Sequence, residues 1–174
     1  GRLGDINSSL IGLIIVGKLL MSALSRTDMA EEKRKDFYLY IDEFQNVTTD
    51  SIATILSEAR KYRLDLTITH QFIGQLKEEI KKAVFGNVGS VINFRIGSDD
   101  TEFMAKQYEP IFFQQDLLNL DNYNCYVKLL INGATSIPFS MKTFPPTKGD
   151  REIAEIIKEI SRTKYGRPRE EVER

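Results

Sequence analysis

Apolar and polar residues alternate along the chain in blocks that predict helices and strands. The apolar segment from Leu10 to Leu24 follows Asn7-Ser8-Ser9, which predicts a helix capped by these residues and running to about Arg26. The continuous apolar run 37–41 ends abruptly in Asp42-Glu43, which is typical of a strand covered on both faces. A helix beginning at Thr49-Asp50 has a single apolar stripe: Ile52, Ile55, Leu56, Ala59 and Tyr62.

The second half of the pattern predicts the fold class. Strands at 64–69 and 90–96 alternate with helices at 77–85 and 99–108, which favours right-handed crossovers and a mostly parallel sheet flanked by helices. Asn132-Gly133, between two apolar runs, predicts a type I′ turn, so the α/β sheet finishes in an antiparallel hairpin. We therefore expect one domain over 1–146, closed by Pro145-Pro146, and a C-terminal helix with a charged tail over 147–174.

Composition narrows the classes of function. With 174 residues and 41% hydrophobic residues, the chain is long enough to bury one substantial core. Lys and Arg (24) nearly balance Asp and Glu (25), so any contact with DNA must be local. Cys125 is the only cysteine and His70 the only histidine, which excludes an internal disulfide and a cysteine- or histidine-based metal centre.

The apolar run Leu10 to Leu24 is the one candidate for a membrane span in the sequence. It contains Lys18 and is shorter than the roughly 20 apolar residues that a spanning helix needs, so we predict a buried helix. The chain opens at Gly1 without an initiator methionine, a charged leader region or a cleavage site, and is expected to be part of a longer protein.

Asp42 and Glu43 stand where the first predicted strand ends, which is the edge at which open α/β sheets bind ligands. An aspartate there can hold Mg²⁺ through its water shell, and the next carboxylate can orient or deprotonate a water that attacks a γ-phosphate. This is the Walker B arrangement. Four apolar residues before Asp-Glu are common, and a strand that ends in a solvated acidic turn is the alternative interpretation.

Two further residues are candidates for the same chemistry. Gln71 follows the strand 64–69, and its amide could bridge the γ-phosphate and the attacking water. Arg60 ends the helix between the two strands and could reach the nucleotide of a neighbouring subunit. A surface helix that ends in cations, which favour its dipole, is the alternative for Arg60.

The segment Gly12 to Leu19 satisfies G-x-x-x-x-G-K but is not expected to bind phosphate. Leu19 occupies the position where Ser or Thr must bind Mg²⁺. The two glycines also lie inside one apolar segment with helical spacing, whereas a phosphate-binding loop connects a strand to a helix.

The stretch from Asp36 to Leu76, DFYLYIDEFQNVTTDSIATILSEARKYRLDLTITHQFIGQL, closely resembles the type IV coupling proteins. These are the TraG/TraD-like conjugation ATPases of the HerA/FtsK superfamily. The resemblance extends through AVFGNVGSVINFRIGSDDTEFMAKQYEP and YVKLLINGATSIPFSMKTFPP and covers about residues 1 to 146.

The resemblance implies the C-terminal part of a RecA-like P-loop ATPase: a hexameric, ATP- and Mg²⁺-dependent motor that moves DNA or a DNA–protein complex into a secretion channel. The DNA could be single- or double-stranded. It also implies DNA-processing partners and a cytoplasmic domain of a bacterial inner-membrane-associated protein, tethered by segments upstream. Asp42 and Glu43 resemble the Walker B pair, Arg60 the arginine finger and Gln71 the glutamine motif. Arg95 in FRIGSDD stands at a third predicted strand end and is expected to face the nucleotide as well. The Walker A lysine and its Ser or Thr have no counterpart in this chain, which predicts that the chain alone is inactive.

Two other functions remain open at this level. A HerA-like or secretion-system ATPase that moves protein or processes DNA ends would use the same strand-end chemistry. A non-catalytic module would instead dock a partner through Ile153 to Ile160 and the tail Arg162 to Arg174. A G-x-x-x-x-G-K-[ST] loop and membrane spans upstream would favour the coupling protein.

Overall fold

The computed structural model describes residues 5–48 and 56–172, which form two compact units, Gly1–Lys142 and Thr143–Arg174. The helices of the first unit are α1 (Asp5–Leu24), α2 (Glu78–Asn87), α3 (Ser98–Tyr108) and α4 (Gln114–Leu118). Its strands are β1 (Phe37–Ile41), β2 (Leu64–Ile68), β3 (Val91–Asn93), β4 (Asn124–Lys128), β5 (Leu130–Ile131), β6 (Ala134–Thr135) and β7 (Phe139–Lys142). The second unit contains α5 (Arg151–Tyr165) and α6 (Arg169–Val172).

Strands β1 and β2 form a parallel pair, as the pattern of apolar runs predicts. Phe37 is opposite Leu64 and Ile41 is opposite Ile68, so both strands end at the same edge. The connection between them is described from residue 56, where one helical turn leads into a 3₁₀ turn over Ala59–Tyr62. The predicted start of this helix at Thr49-Asp50 lies outside the described residues.

The prediction of a mostly parallel sheet is only partly correct. Among the described residues, β3 pairs with β4 rather than with β2, and the three-stranded sheet β3-β4-β7 is antiparallel throughout. An apolar run specifies a strand but not its partner, which long-range packing selects. Strand β3 is also shorter than the predicted 90–96, because β4 offers it partners only from Val91 to Asn93.

The predicted hairpin is present and has the expected turn chemistry. Asn132 and Gly133 both have positive φ, 51° and 81°, as a type I′ turn requires. The turn joins β5 to β6, with Ile131 opposite Ala134. The longer antiparallel pair on either side of it is β4 with β7.

Helix α1 differs from its prediction in two respects. It is already helical at Asp5, so Asn7, Ser8 and Ser9 lie within its first turns instead of capping it. Ser and Asn cost well under about 1 kcal/mol each inside a helix, less than the gain from extending an existing helix by further hydrogen bonds. The helix is also not buried on all sides. Val16, Leu20 and Ala23 pack on the first core, whereas the apolar side chains of the opposite face are largely exposed: Leu10, Ile11, Ile14, Ile15 and Met21.

By length and composition, Ser9–Asp28 is apolar enough to cross a membrane, with a mean hydropathy of 1.6. Only 6% of this window is buried, so the described residues do not supply the burial predicted for the helix, although Val16, Leu20 and Ala23 pack on the first core. Strand β1 is covered on one face as well, contrary to the prediction. Leu39 and Ile41 pack on the core, while Tyr38 and Tyr40 are 62% and 72% exposed. Both faces of β1 are apolar, but within the described residues only the face with Leu39 and Ile41 is covered by other side chains.

Two hydrophobic cores stabilise the first unit. The first core joins α1, the β1–β2 pair and α2 through its buried side chains: Ala23, Phe44, Leu64, Leu76, Ile80 and Val84. The second core joins α3 and α4 to the loop after β2: Ile73, Met104, Ala105, Tyr108 and Leu117. Phe85 of α2 packs against both cores, and its ring makes an edge-to-face contact with Phe103 at 4.7 Å between centroids.

The second unit is built around α5, which begins directly after its N-cap residue, Asp150. The Asp150 carboxylate accepts hydrogen bonds from the backbone N–H groups of Glu152 (2.8 Å) and Ile153 (3.3 Å). The N–H groups in the first turn of a helix have no acceptor within the helix, so this cap satisfies two of them. The predicted charged tail contains one further short helix, α6.

Candidate functional site

The carboxylate of Asp42 lies at the carboxyl edge of the β1–β2 pair and is fixed through one oxygen. Its Oδ1 accepts hydrogen bonds from the Thr69 hydroxyl and, at 3.0 Å, from the backbone N–H of Glu43. Its Oδ2 makes no hydrogen bond within the described residues. Asp42 is exposed to solvent, so this second oxygen is available to a metal-bound water.

The carboxylate of Glu43 is held by two amides, one from its own loop and one from the loop after β2. Gln71 donates from Nε2 to Oε1 at 2.5 Å, and Gln45 donates from Nε2 to Oε2 at 2.5 Å. The backbone of Glu43 is left-handed, with φ 51° and ψ 48°. For a residue other than glycine this conformation costs on the order of 1 kcal/mol, and such strain is concentrated at functional sites. The strained turn directs Glu43 toward the end of β2, where Gln71 meets it.

The loops that follow β1 and β2 are each anchored by a buried apolar residue shortly after Glu43 and Gln71, respectively. Phe44 follows Glu43, is fully buried in the first core, and donates its backbone N–H to the Thr69 carbonyl at 2.9 Å. Ile73 lies two residues after Gln71 and is buried in the second core. The polar cluster therefore rests on packed side chains, which limits how far the loops can move.

Asp100, in the first turn of α3, fixes the loop that carries Gln71. Only 8% of Asp100 is exposed, and its carboxylate accepts the backbone N–H groups of Ile73 (Oδ2, 2.9 Å) and Gly74 (Oδ1, 3.3 Å). Beside it, burial lowers the pKa of His70 from its usual value, and the negative charge of Asp100 opposes that shift in part. The net direction favours a neutral imidazole at pH 7, so His70 brings no fixed positive charge to the neighbouring Gln71.

Asp100→Ala is expected to lower the free energy of unfolding by about 2–4 kcal/mol, because two backbone N–H groups lose their acceptor. Asp100→Asn keeps one acceptor oxygen and should cost less. The matched control is Asp99→Ala, since Asp99 is the exposed neighbour in the same helical turn. Urea unfolding and amide hydrogen exchange of Ile73 and Gly74 measure the effect. Equal losses for Asp99→Ala and Asp100→Ala would contradict this role for the buried carboxylate.

The backbone of Arg60 lies in the 3₁₀ turn Ala59–Tyr62, and its side chain is outside the described part of the structure. Two other arginines hold the end of this turn. Arg26 donates from Nη1 to the carbonyls of Lys35 (2.9 Å) and Tyr62 (2.7 Å). Arg34 donates from Nη1 to the Lys61 carbonyl at 2.5 Å, with its guanidinium 5.6 Å from the centre of the Tyr62 ring. The turn is thereby fixed to the segment that enters β1.

Arg95 is not joined to this cluster. It is exposed, follows β3 in the antiparallel sheet, and forms no hydrogen bond or ion pair with Asp42, Glu43 or Gln71 in the described ranges. The structure thus brings together Asp42, Glu43 and Gln71, while Arg95 leaves a strand of the other sheet.

Sequence reasoning missed Thr69, Gln45 and Asp100. Thr69 could have been found from the parallel register, because residues 42 and 69 directly follow the aligned pair Ile41 and Ile68. Asp100 carries an ordinary signal, an acid in the first turn of a helix, which does not distinguish a buried loop clamp from a solvated residue. Nothing in the spacing of Gln45 indicates that its amide contacts Glu43.

The donor set of this cluster suits Mg²⁺ held through water and phosphate oxygens. In residues 5–48 and 56–172 no three His, Cys, Asp or Glu side chains are grouped closely enough to hold a metal by themselves. Mg²⁺ keeps several waters and uses one or two carboxylates together with substrate phosphates, which matches a single exposed aspartate with a free oxygen. The residues present therefore fit Mg²⁺ bound together with a nucleotide.

Residues 36–107, which include β1, β2 and every residue of this cluster, match the family described as the TraM recognition site of TraD and TraG. This segment is of the TraG/TraD type. The resemblance to TraG/TraD-like coupling proteins predicted from the sequence is thereby confirmed over these residues. Among curated protein sequences, none matches the chain.

Solved structures of coupling proteins share the fold of this chain. The plasmid coupling protein TrwB in complex with ADP and Mg²⁺ has a TM-score of 0.62 at 16% identity, over 79% of this chain and 38% of that one. The conjugative coupling protein TrwBdeltaN70 in its unbound monoclinic form has a TM-score of 0.56 at 20% identity, over 75% and 36%. TrwB with the non-hydrolysable ATP analogue ADPNP has a TM-score of 0.55 at 16% identity, over 76% and 38%. At these identities the likeness establishes the α/β fold, and the chain spans less than two fifths of each of these structures.

Proposed function

We propose that this chain is the C-terminal part of the RecA-like motor domain of a conjugative coupling protein that uses ATP to move DNA. The observation that carries the proposal is the polar cluster at the ends of two adjacent parallel strands, with Asp42 and Glu43 on one loop and Thr69 and Gln71 on the next. The similarity to TrwB, whose structures contain ADP with Mg²⁺ and ADPNP, supports nucleotide as the ligand.

Each residue of the cluster has a distinct part in hydrolysis. Asp42, oriented by Thr69, holds a metal-bound water through its remaining oxygen. Bound Mg²⁺ neutralises charge that develops on the phosphate oxygens during transfer. Glu43 orients the attacking water and accepts its proton, because its carboxylate lies at the same edge of the sheet. Gln71 donates a hydrogen bond to Glu43. A γ-phosphate that attracted the Gln71 amide would therefore remove this hydrogen bond from the Glu43 carboxylate.

Arg60 acts on a neighbouring subunit in this proposal. An arginine finger stabilises the charge of the transferring phosphoryl group across a subunit interface, and such head-to-tail contacts close into a ring, here a hexamer. The fixed turn Ala59–Tyr62 supports this role, because Arg26 and Arg34 determine where the backbone of Arg60 lies. Arg95 contributes a second cation toward the nucleotide or the DNA from the other sheet.

The remaining parts of the proposal concern partners and location. The substrate is DNA, single- or double-stranded, passed to a secretion channel with DNA-processing proteins as further partners. A TraM-like protein is among these candidates, since the matching family is described as a TraM recognition site. The chain acts at the cytoplasmic side of a bacterial inner membrane, to which other segments of the protein tether it.

One specific observation favours a docking role for the second unit beside the motor function. Helix α5 exposes isoleucines at i, i+3, i+4 and i+7, each more than half exposed: Ile153, Ile156, Ile157 and Ile160. This spacing is that of a helix that lays one apolar face into a groove. A HerA-like or secretion-system ATPase that moves protein would share the polar cluster and remains the alternative motor.

ATP hydrolysis by the intact protein, measured with and without DNA, tests the proposal. We expect Mg²⁺-dependent hydrolysis that DNA accelerates, with the acceleration lost as salt rises, because phosphate contacts are screened. If single-stranded and duplex DNA both accelerate hydrolysis, a competition assay between the two forms would determine which one is preferred. Hydrolysis that DNA does not change would favour the protein-moving ATPase, and no hydrolysis would refute the motor function.

A further inference from the structure

Both carboxylate oxygens of Glu43 are already occupied, which is unusual for a group that must bind a water. Gln71 takes Oε1 and Gln45 takes Oε2, each through an amide N–H at 2.5 Å. Two charge-assisted hydrogen bonds to the same carboxylate fix its plane as well as its position. Gln71 belongs to the neighbouring strand end, whereas Gln45 belongs to the same loop as Glu43 and follows it by two residues.

The loop around Gln45 keeps its side chain in place. Gln45 is the second residue of the 3₁₀ turn Phe44–Val47, after Phe44, whose ring is fully buried. The backbone carbonyl of Gln45 accepts a hydrogen bond from the Thr48 hydroxyl at 3.2 Å. Gln45 is itself half-buried. With the main chain fixed on both sides, its amide has little freedom to leave Glu43 while the loop is folded.

The other end of the Gln45 amide has no compensating contact. Its carbonyl oxygen, Oε1, is buried and has no hydrogen-bond partner. A buried acceptor without a partner costs free energy, so a glutamine retained only for stability would be expected to use both ends of its amide. The contact with Glu43 is the one hydrogen bond that the described structure gives to this side chain.

We propose that Gln45 is a positioning residue for Glu43: it fixes Oε2, so that Oε1 is the oxygen released to the attacking water when Gln71 turns toward the γ-phosphate. The inference rests on the proposed ATPase function. In this role Gln45 acts through the orientation of the carboxylate beside it. The left-handed backbone of Glu43 sets the direction of the side chain, and Gln45 sets the rotation of its carboxylate.

The test uses the intact protein with Gln45→Met, which keeps the length of the side chain, and Gln45→Glu, which keeps its shape and replaces the donor by a second carboxylate. We expect kcat for ATP hydrolysis to fall about tenfold in both variants, while KM for ATP changes less than about twofold, because orientation of the reacting group is lost and binding is retained. The melting temperature of Gln45→Met should be unchanged, since this variant also removes the partnerless acceptor.

The matched control is Gln115→Met, the same chemical change at an exposed position in α4, for which we expect wild-type kcat. An unchanged kcat in Gln45→Met, with wild-type and Glu43→Gln proteins behaving as the ATPase mechanism requires, overturns the inference and leaves the proposed function standing. A parallel fall of kcat and melting temperature in both variants also overturns it, in favour of a structural role. No hydrolysis by the wild-type protein overturns the proposed function and this inference together.

Discussion

Replacing Glu43 by Gln in the intact protein is expected to reduce ATP turnover by about 100- to 10,000-fold, the range that a positioned general base contributes. The substitution keeps the size of the side chain and one acceptor oxygen, but an amide cannot accept the proton of the attacking water. ATP binding should persist, because Glu43 is not needed to hold the phosphates. The protein should therefore stall with ATP bound.

Phosphate release under single and multiple turnover, together with binding of a fluorescent ATP analogue, measures both parts of this prediction. Glu109→Gln provides the matched control, since Glu109 is an exposed residue at the end of α3 outside the polar cluster. Turnover of Glu43→Gln above about a tenth of the wild-type rate would remove Glu43 from the mechanism.

The 174-residue chain by itself is expected to show no ATP hydrolysis above background. Most of the affinity for a triphosphate comes from a loop whose backbone N–H groups and lysine surround the β- and γ-phosphates. The one G-x-x-x-x-G-K match, Gly12 to Leu19, is part of α1. Gly12 is needed there for close packing, because a Cβ at this position would lie 2.6 Å from Cγ1 of Val47. Asp42 and Glu43 alone repel a polyanion and leave at most weak binding of Mg²⁺.

Phosphate release by the chain and by the intact protein, under the same conditions, checks this result. Lys18→Ala in the intact protein is the control for the rejected loop, because Lys18 is an exposed residue on α1 and should leave turnover unchanged. Robust turnover by the chain, or a loss of turnover in Lys18→Ala, would show that Gly12 to Leu19 binds phosphate after all.

The sequence predicted those parts of the fold whose causes are local. The apolar runs at 37–41 and 64–68 and the Asn132-Gly133 turn were recognisable because strand and turn propensities act over a few residues. The partner of β3 could not be recognised, since a strand of three residues carries too little pattern to distinguish β2 from β4 as its neighbour. The burial of α1 and β1 was overestimated. An apolar pattern indicates that a face is suited to burial, but it does not indicate which segment covers that face.

The candidate site shows the same division. Asp42, Glu43 and Gln71 could be predicted to meet because parallel strands deliver their carboxyl ends to one edge. The contacts of Gln45 and Asp100 depend on side-chain rotamers and on helix α3 reaching a loop 26 to 27 residues earlier. No periodicity encodes such contacts, so the positioning residues become visible only in three dimensions.

The position of the Glu43–Gln71 hydrogen bond has a mechanical consequence. Glu43 is attached through Phe44 to the core that contains α1 and the parallel strands, and Gln71 is attached through Ile73 to the core built on α3 and α4. Because Ile68 and Leu76 also tie this loop to the first core, a displacement of the second core would reach the bond through the short segment from Gln71 to Ile73. In the proposed ATPase, a nucleotide that separated the two side chains would act between the cores. This hydrogen bond would then be the joint through which chemistry at the sheet edge moves whole helices.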